Sequence, residues 1–175
     1  MDDGRCFWFF DSWEGVPSPT ALDVSTTGIS GEAGLFKGSE AIAEGLLFGG
    51  FGASRLRTHL VKGWFNQTLP KTSSEIGRIA LLHVDCDYYE PVKFCLEVLY
   101  PLVSPGGAVV IDDYDDWQGC RLAVDEFLTS QVVKPTATHR LRAGMRIEKP
   151  LDARGMNFVI IPRDSEANES ATGPS

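Results

Sequence analysis

Apolar and polar positions fall into blocks along this chain, and the blocks alternate between strand-like and helix-like spacing. Arg5 to Phe10 is an aromatic, apolar run that stops at Asp11-Ser12, with Gly15, Pro17 and Pro19 close behind, which predicts a buried strand feeding a loop. Residues 20 to 54 are ambiguous: Glu40 to Phe48 has helical spacing, but glycines at 45, 49, 50 and 52 cut it short. Thr58 to Gly63 is apolar and β-branched and reads as a second strand ending at Gly63-Trp64. Ile79 to Val84, IALLHV, is the clearest buried strand and ends at Asp85.

Beyond it, apolar positions 92, 95, 96, 98 and 99 predict a helix over Pro91 to Tyr100, with the proline in its first turn. Ser104-Pro105-Gly106-Gly107 then reads as a turn, Ala108 to Ile111 as the next buried strand, and Trp117 to Leu128 as a helix with Leu122, Val124 and Phe127 inward. Thr138 to Arg142 and Met156 to Ile161 are expected to form a terminal antiparallel pair. The organisation predicted is one domain over 1–163 and a disordered polar tail over 164–175.

Strands apolar along their whole length, alternating with helices, predict an α/β fold with a mostly parallel sheet covered on both faces. Ligands in such sheets bind beyond the carboxyl ends of the strands. Those ends here are Asp11-Ser12, Gly63-Trp64, Asp85-Cys86-Asp87 and Asp112-Asp113, three of the four acidic.

Asp85 and the pair Asp112/Asp113 end two strands joined by one helical crossover, so their carboxylates are expected on one edge of the sheet. A hard divalent cation such as magnesium would suit three such oxygen ligands. Helix-capping and solvated loop acids are the competing account, left even with the metal on spacing alone and favoured for Asp115 and Asp116. Asp87 is open between the cluster and a cap on the helix that follows. Asp11 fits either a ribose-binding acid or a turn-initiating residue. His83, inside the strand, reads as a core histidine.

Composition narrows the partners. Net charge is −8, from 16 basic and 24 acidic residues, which gives no electrostatic footprint for nucleic acid. Four dispersed cysteines without a CxxC pattern and no signal-like amino terminus predict a reduced, cytoplasmic chain; no apolar run is long enough for a membrane span.

The segments FDSWEGVP (10–17), VKGWFNQTLP (61–70), IALLHVDCDYYEP (79–91) and LYPLVSPGGAVVIDDYDDWQGCRLAVDEF (99–127) resemble the macrocin O-methyltransferase family, in order and over most of residues 5–130. The resemblance implies a Rossmann-like class I methyltransferase sheet, S-adenosylmethionine as methyl donor, Mg2+, and a small-molecule hydroxyl acceptor, with a sugar as one choice. It implies metal ligation by Asp85, Asp112 and Asp113 and a role for Asp85 in deprotonation. Asp11, Ser12, Glu14, Gly63 and Trp64 are the expected cofactor contacts. The family's first strand, glycine-rich loop and helix should precede Arg5 and are missing from this sequence; that strand would lie between those ending at Asp11 and Asp85. The expectation is therefore a partial enzyme with weak cofactor binding and little turnover alone. A non-catalytic binding protein derived from a methyltransferase is the rival reading, and a homo-oligomer is left open.

Overall fold

The computed structural model describes residues 4–133 and 159–162. Strand β1 (Phe7–Asp11) pairs in parallel with β2 (Thr58–Lys62), Phe7 opposite Thr58 and Asp11 opposite Lys62. A second sheet has the order β3 (Ile79–Val84), β4 (Val103–Ile111), β5 (Val159–Pro162), with β3 and β4 parallel and β5 antiparallel to β4. The strand expected at Met156 to Ile161 is thus present in part, paired with β4. Its expected partner, Thr138 to Arg142, and the 164–175 tail lie outside the described residues.

Among the described residues, four α-helices accompany the strands. Helix α1 (Glu40–Glu44) starts at an N-cap Ser39, whose Oγ accepts from the Ile42 amide, and runs into a π-helical turn over Gly45–Gly50. That path explains the ambiguous spacing of this region, since glycine weakens a regular helix. Helix α2 (Phe65–Ile76) follows β2 and contains Pro70, the residue that hid it from sequence reading. Helix α3 (Tyr89–Leu99) has Pro91 in its first turn, as expected, and α4 spans Gln118–Val133.

The core lies where α3 and α4 meet one face of the β3–β4 pair. Leu82, Val84, Val109 and Ile111 point inward from the strands and are buried with Val92, Cys95, Leu96 and Leu99 of α3. Helix α4 contributes Cys120, Ala123, Val124 and Phe127, an i, i+3, i+4, i+7 stripe, and Tyr100 meets Phe127 edge-to-face at 5.0 Å. Leu122, expected inward, falls off that stripe and is exposed. Each fully buried aliphatic side chain of this set contributes about 1.5–3 kcal/mol relative to exposure.

The other sheet face differs from expectation. In β3 only Leu82 and Val84 are buried, while Leu81 is 63% exposed and His83 is exposed, so neither the strand nor His83 is enclosed on both sides. Phe7 and Phe9 of β1 are also exposed. The reason is that α3 and α4 occupy a single face, and no hydrogen-bonded pairing joins β1 to β3 among the described residues. That opening is where the resemblance expected another strand.

The Ser104 to Gly107 turn is also a correction: these residues belong to β4 and form a bulge, since Ile79 pairs with Val103 but Leu81 pairs with Ala108. Gly107 is required there. A Cβ would lie 2.9 Å from both the Ala80 and Ser104 carbonyl oxygens.

Candidate functional site

The carboxyl ends of β1, β2 and β3 open onto one cavity of about 540 Å3. Parallel strands place their terminal loops on a common edge, so residues distant in sequence converge there. Asp11 and Ser12 from the end of β1, Gly63 and Trp64 after β2, and Asp85 and Asp87 after β3 all line it. Four of the five predicted cofactor contacts are therefore on its wall. The fifth, Glu14, is not among the lining residues; its carboxylate pairs with Lys37 Nζ at 3.0 Å on the surface.

Each strand end is shaped locally. Asp11 Oδ1 accepts the Trp13 amide at 2.6 Å, the turn-initiating geometry, while the residue also faces the cavity. Ser12, buried, accepts from the Glu14 amide and donates to the Gly15 carbonyl. Trp13, Asp87 and Asp113 all adopt positive φ, 61°, 57° and 60°, each just past the end of a strand. Aspartate tolerates this region better than most residues, and such conformations concentrate where a site fixes side-chain direction.

The acids fall into two groups that share Asp85. Ligand atoms of Asp85, Asp87 and Asp113 lie within 4.8 Å of one another, and so do those of His83, Asp85 and Asp112. The structure brings Asp85 together with each of the predicted partners, Asp112 in one group and Asp113 in the other. Asp87 joins the cluster and does not cap α3, whose N-cap Tyr88 makes no side-chain cap bond. The exposed His83 has Nε2 3.7 Å from Asp112 Oδ2. Asp115, by contrast, pairs with Arg121 at 2.7 Å.

Electrostatics express this crowding. Partial burial and the charges of Asp87, Asp112 and Asp85 push the Asp113 carboxyl up to about 7. Asp87 is raised to about 6 by burial and then by Asp85, against hydrogen bonds from Trp117 and Asp113 that lower it. Asp85 is raised by burial and by Asp112, with His83 opposing. Carboxylates held so close repel one another unless protonated or neutralised, and their all-oxygen set fits a hard divalent cation.

Two supports escaped sequence reading. Asp23, 1% exposed, has Oδ1 accepting the Tyr89 amide at 2.7 Å and Oδ2 accepting the Thr20 amide at 2.7 Å, so it caps α3 from a distant loop. Tyr88, also buried, donates to the Glu32 carbonyl and accepts the Glu32 amide. Neither contact has a local sequence signal, because the partners lie 66 and 56 positions apart. Together they pin the 16–35 loop beside the Asp85–Asp87 turn.

Known proteins resemble this chain in sequence and fold. The family model described as Macrocin-O-methyltransferase (TylF) matches residues 2–140. The 8-demethyl-8-(2,3-dimethoxy-alpha-L-rhamnosyl)-tetracenomycin-C 4'-O-methyltransferase of Streptomyces olivaceus is 34% identical over 131 residues, 72% of this chain and 48% of that protein. The demethyldecarbamoylnovobiocin O-methyltransferase of Streptomyces niveus is 33% identical over 130 residues, 70% of this chain and 47% of its own length. The chain thus spans about half the length of these relatives. The solved structure of the O-methyltransferase NovP superimposes with a TM-score of 0.68 at 27% identity, covering 91% of this chain and 60% of NovP. The sheet is that of a class I methyltransferase in part, and the chain belongs to the macrocin O-methyltransferase family.

Proposed function

We propose that this chain forms the acceptor and metal half of an S-adenosylmethionine-dependent, Mg2+-dependent O-methyltransferase acting on a sugar hydroxyl. One observation carries the reading: carboxylates from two neighbouring strand ends converge within 4.8 Å at a cavity that the β1 and β2 ends also line. The activities of the two Streptomyces relatives, both O-methyltransferases, support a hydroxyl acceptor, on a rhamnosyl group in the first case.

Asp85, Asp112 and Asp113 are the residues that would hold Mg2+, with Asp87 adjoining. When bound, the ion would lower the pKa of an acceptor hydroxyl. Asp85, common to both groups, is the carboxylate placed to hold the acceptor proton, and Asp87, near 6, is a second group able to take one close to neutral pH. Asp11 is placed to accept hydrogen bonds from the donor's ribose, while Ser12, Gly63 and Trp64 form the wall beside it. Holding donor and acceptor in one cavity supplies proximity and alignment, the main demands of methyl transfer.

Calorimetric titration with Mg2+ and then S-adenosylmethionine, beside a methyl-transfer assay on sugar acceptors, tests this. Mg2+ binding lost in Asp85→Asn and metal-dependent donor binding, weak in this chain alone, support it. A protein that binds neither donor nor cation defeats it.

A further inference from the structure

Trp117 stands where three parts of the molecule meet, and the backbone fixes it from both sides. Its amide donates to the Asp113 carbonyl at 3.0 Å, as does the Asp116 amide, so the residue lies one tight turn past a proposed metal ligand. On the other flank, Trp117 forms an antiparallel bridge with Ser25, the Thr26 amide donates to the Asp116 carbonyl at 2.8 Å, and the Gln118 amide donates to the Val24 carbonyl at 2.9 Å. The loop that Asp23 and Tyr88 pin beside the Asp85–Asp87 turn therefore holds Trp117 as well.

The side chain is as constrained as the backbone. Trp117 is buried, and its ring meets the Tyr88 ring edge-on at 5.2 Å. Its indole N–H donates to the Asp87 carboxylate. A buried indole needs such a partner, and among the described residues no buried side-chain nitrogen or oxygen lacks one. The chemistry of this donor suits its neighbours. An indole is neutral and can only donate, so it fixes a carboxylate without offsetting the negative charge that attracts a cation and without competing as a ligand. Lysine or arginine there would supply the offsetting charge, and histidine or serine the competing ligand.

Resting on the Mg2+ reading above, we propose that Trp117 is a positioning residue for the cation site: it acts through Asp87, and the 20–31 loop acts through Trp117. Asp87 leaves β3 at φ 57° beside carboxylates that repel it, so a donor behind it keeps its carboxylate turned toward Asp85 and Asp113. Groups that orient the residues around a metal change its affinity by about 10–100-fold when removed. A tryptophan that only filled the core would contribute its ring alone, and phenylalanine would replace most of that. The indole N–H is what distinguishes the two roles.

Two-dimensional nitrogen–proton NMR of the isotope-labelled full chain, beside calorimetric titration with Mg2+, tests this. The four tryptophans give four indole signals, with Trp8, stacked on His59 at 4.0 Å, as the reference. The Trp117 indole proton should exchange slowly with solvent, and its signal should move on adding Mg2+ and in Asp87→Asn, while that of Trp8 stays. Trp117→Phe should weaken Mg2+ binding by about tenfold. Phe127→Leu, a core change on the adjoining helix beside Tyr100, should lower stability and leave Mg2+ affinity unchanged. Unchanged affinity in Trp117→Phe, or an indole signal indifferent to either Mg2+ or Asp87→Asn, overturns the inference and leaves the Mg2+ reading standing. If Trp117→Phe does not fold, the indole signals of the unmodified chain and of Asp87→Asn decide alone. An unmodified chain that binds no Mg2+ removes both the inference and the reading beneath it.

Discussion

Asp87 and Asp113 leave their strands in the same left-handed conformation, φ 57° and 60°, and bring their carboxylate oxygens within 4.8 Å of each other. Two carboxylates held that close repel one another, so protonation of either is favoured. Their raised pKa values, about 6 and about 7, express the same fact.

Stability without metal should therefore fall as pH rises from about 4 to about 7. Both groups have folded-state values above the ordinary aspartate range near 3.9, so the folded chain binds more protons than the unfolded chain in that window. Deprotonation then costs stability, and the loss is complete once pH passes the higher folded value. Thermal unfolding at pH 5 and pH 7.5 should show a lower midpoint at the higher pH. Adding Mg2+ should raise the pH 7.5 midpoint and leave the pH 5 midpoint nearly unchanged. A midpoint that rises with pH in the absence of metal contradicts the cluster.

Asp85→Asn and Asp115→Asn should behave oppositely. Asp85 belongs to both acid groups, whereas Asp115 is engaged with Arg121. The first change should abolish stabilisation by Mg2+ and relieve repulsion without it. The second removes an exposed ion pair worth about 0–1 kcal/mol and should leave the Mg2+ effect intact. Denaturant titrations of both variants with and without Mg2+ decide the matter.

Element positions were largely legible and their surroundings were not. IALLHV predicts β3 to the residue because five apolar residues in six positions, between Arg78 and Asp85, have few alternatives. Which faces of β3 are covered depends on how much helix packs against it, and its own residues do not say. Helix α2 stayed hidden because Pro70 and a polar second half mask an interior whose one buried residue is Leu69. In the site, Asp85, Asp112 and Asp113 stood out by ending strands. Asp87 did not, because its place in the cluster depends on a positive φ and on the indole of Trp117. Asp23 is a loop residue whose partner lies on another helix.

That buried carboxylate supports a stability prediction. Asp23→Ala removes acceptors from the Tyr89 and Thr20 amides and from the Thr20 hydroxyl at 2.8 Å, leaving donors in a buried region without partners. The expected cost is about 2–4 kcal/mol, read as a lower urea midpoint with an unchanged slope. Gly119→Ala should also destabilise, because a Cβ there would collide with the Asp23 carboxylate and come within 3.0 Å of the Tyr89 amide nitrogen. Wild-type stability in either variant would show that the capping contact carries no weight.

The cysteines give a final prediction that reports on the fold around the metal loop. All four are free; Cys6 is exposed, and Cys86, Cys95 and Cys120 are buried. Cys86 is pushed well above its ordinary value by a hydrogen bond with Cys95, by burial and by neighbouring charge, and Cys120 is raised by burial and the surrounding aspartates. Thiolate is the reactive form, so these buried thiols are inert while the core is intact. An aromatic disulfide reagent at pH 8 should label Cys6 rapidly and the other three at the rate of unfolding. Mg2+ should slow that second phase, since a cation on Asp85 restrains the loop that holds Cys86. Fast labelling of two or more thiols in the native protein would mean that the α3–α4 core opens, and with it the turn that carries the carboxylates.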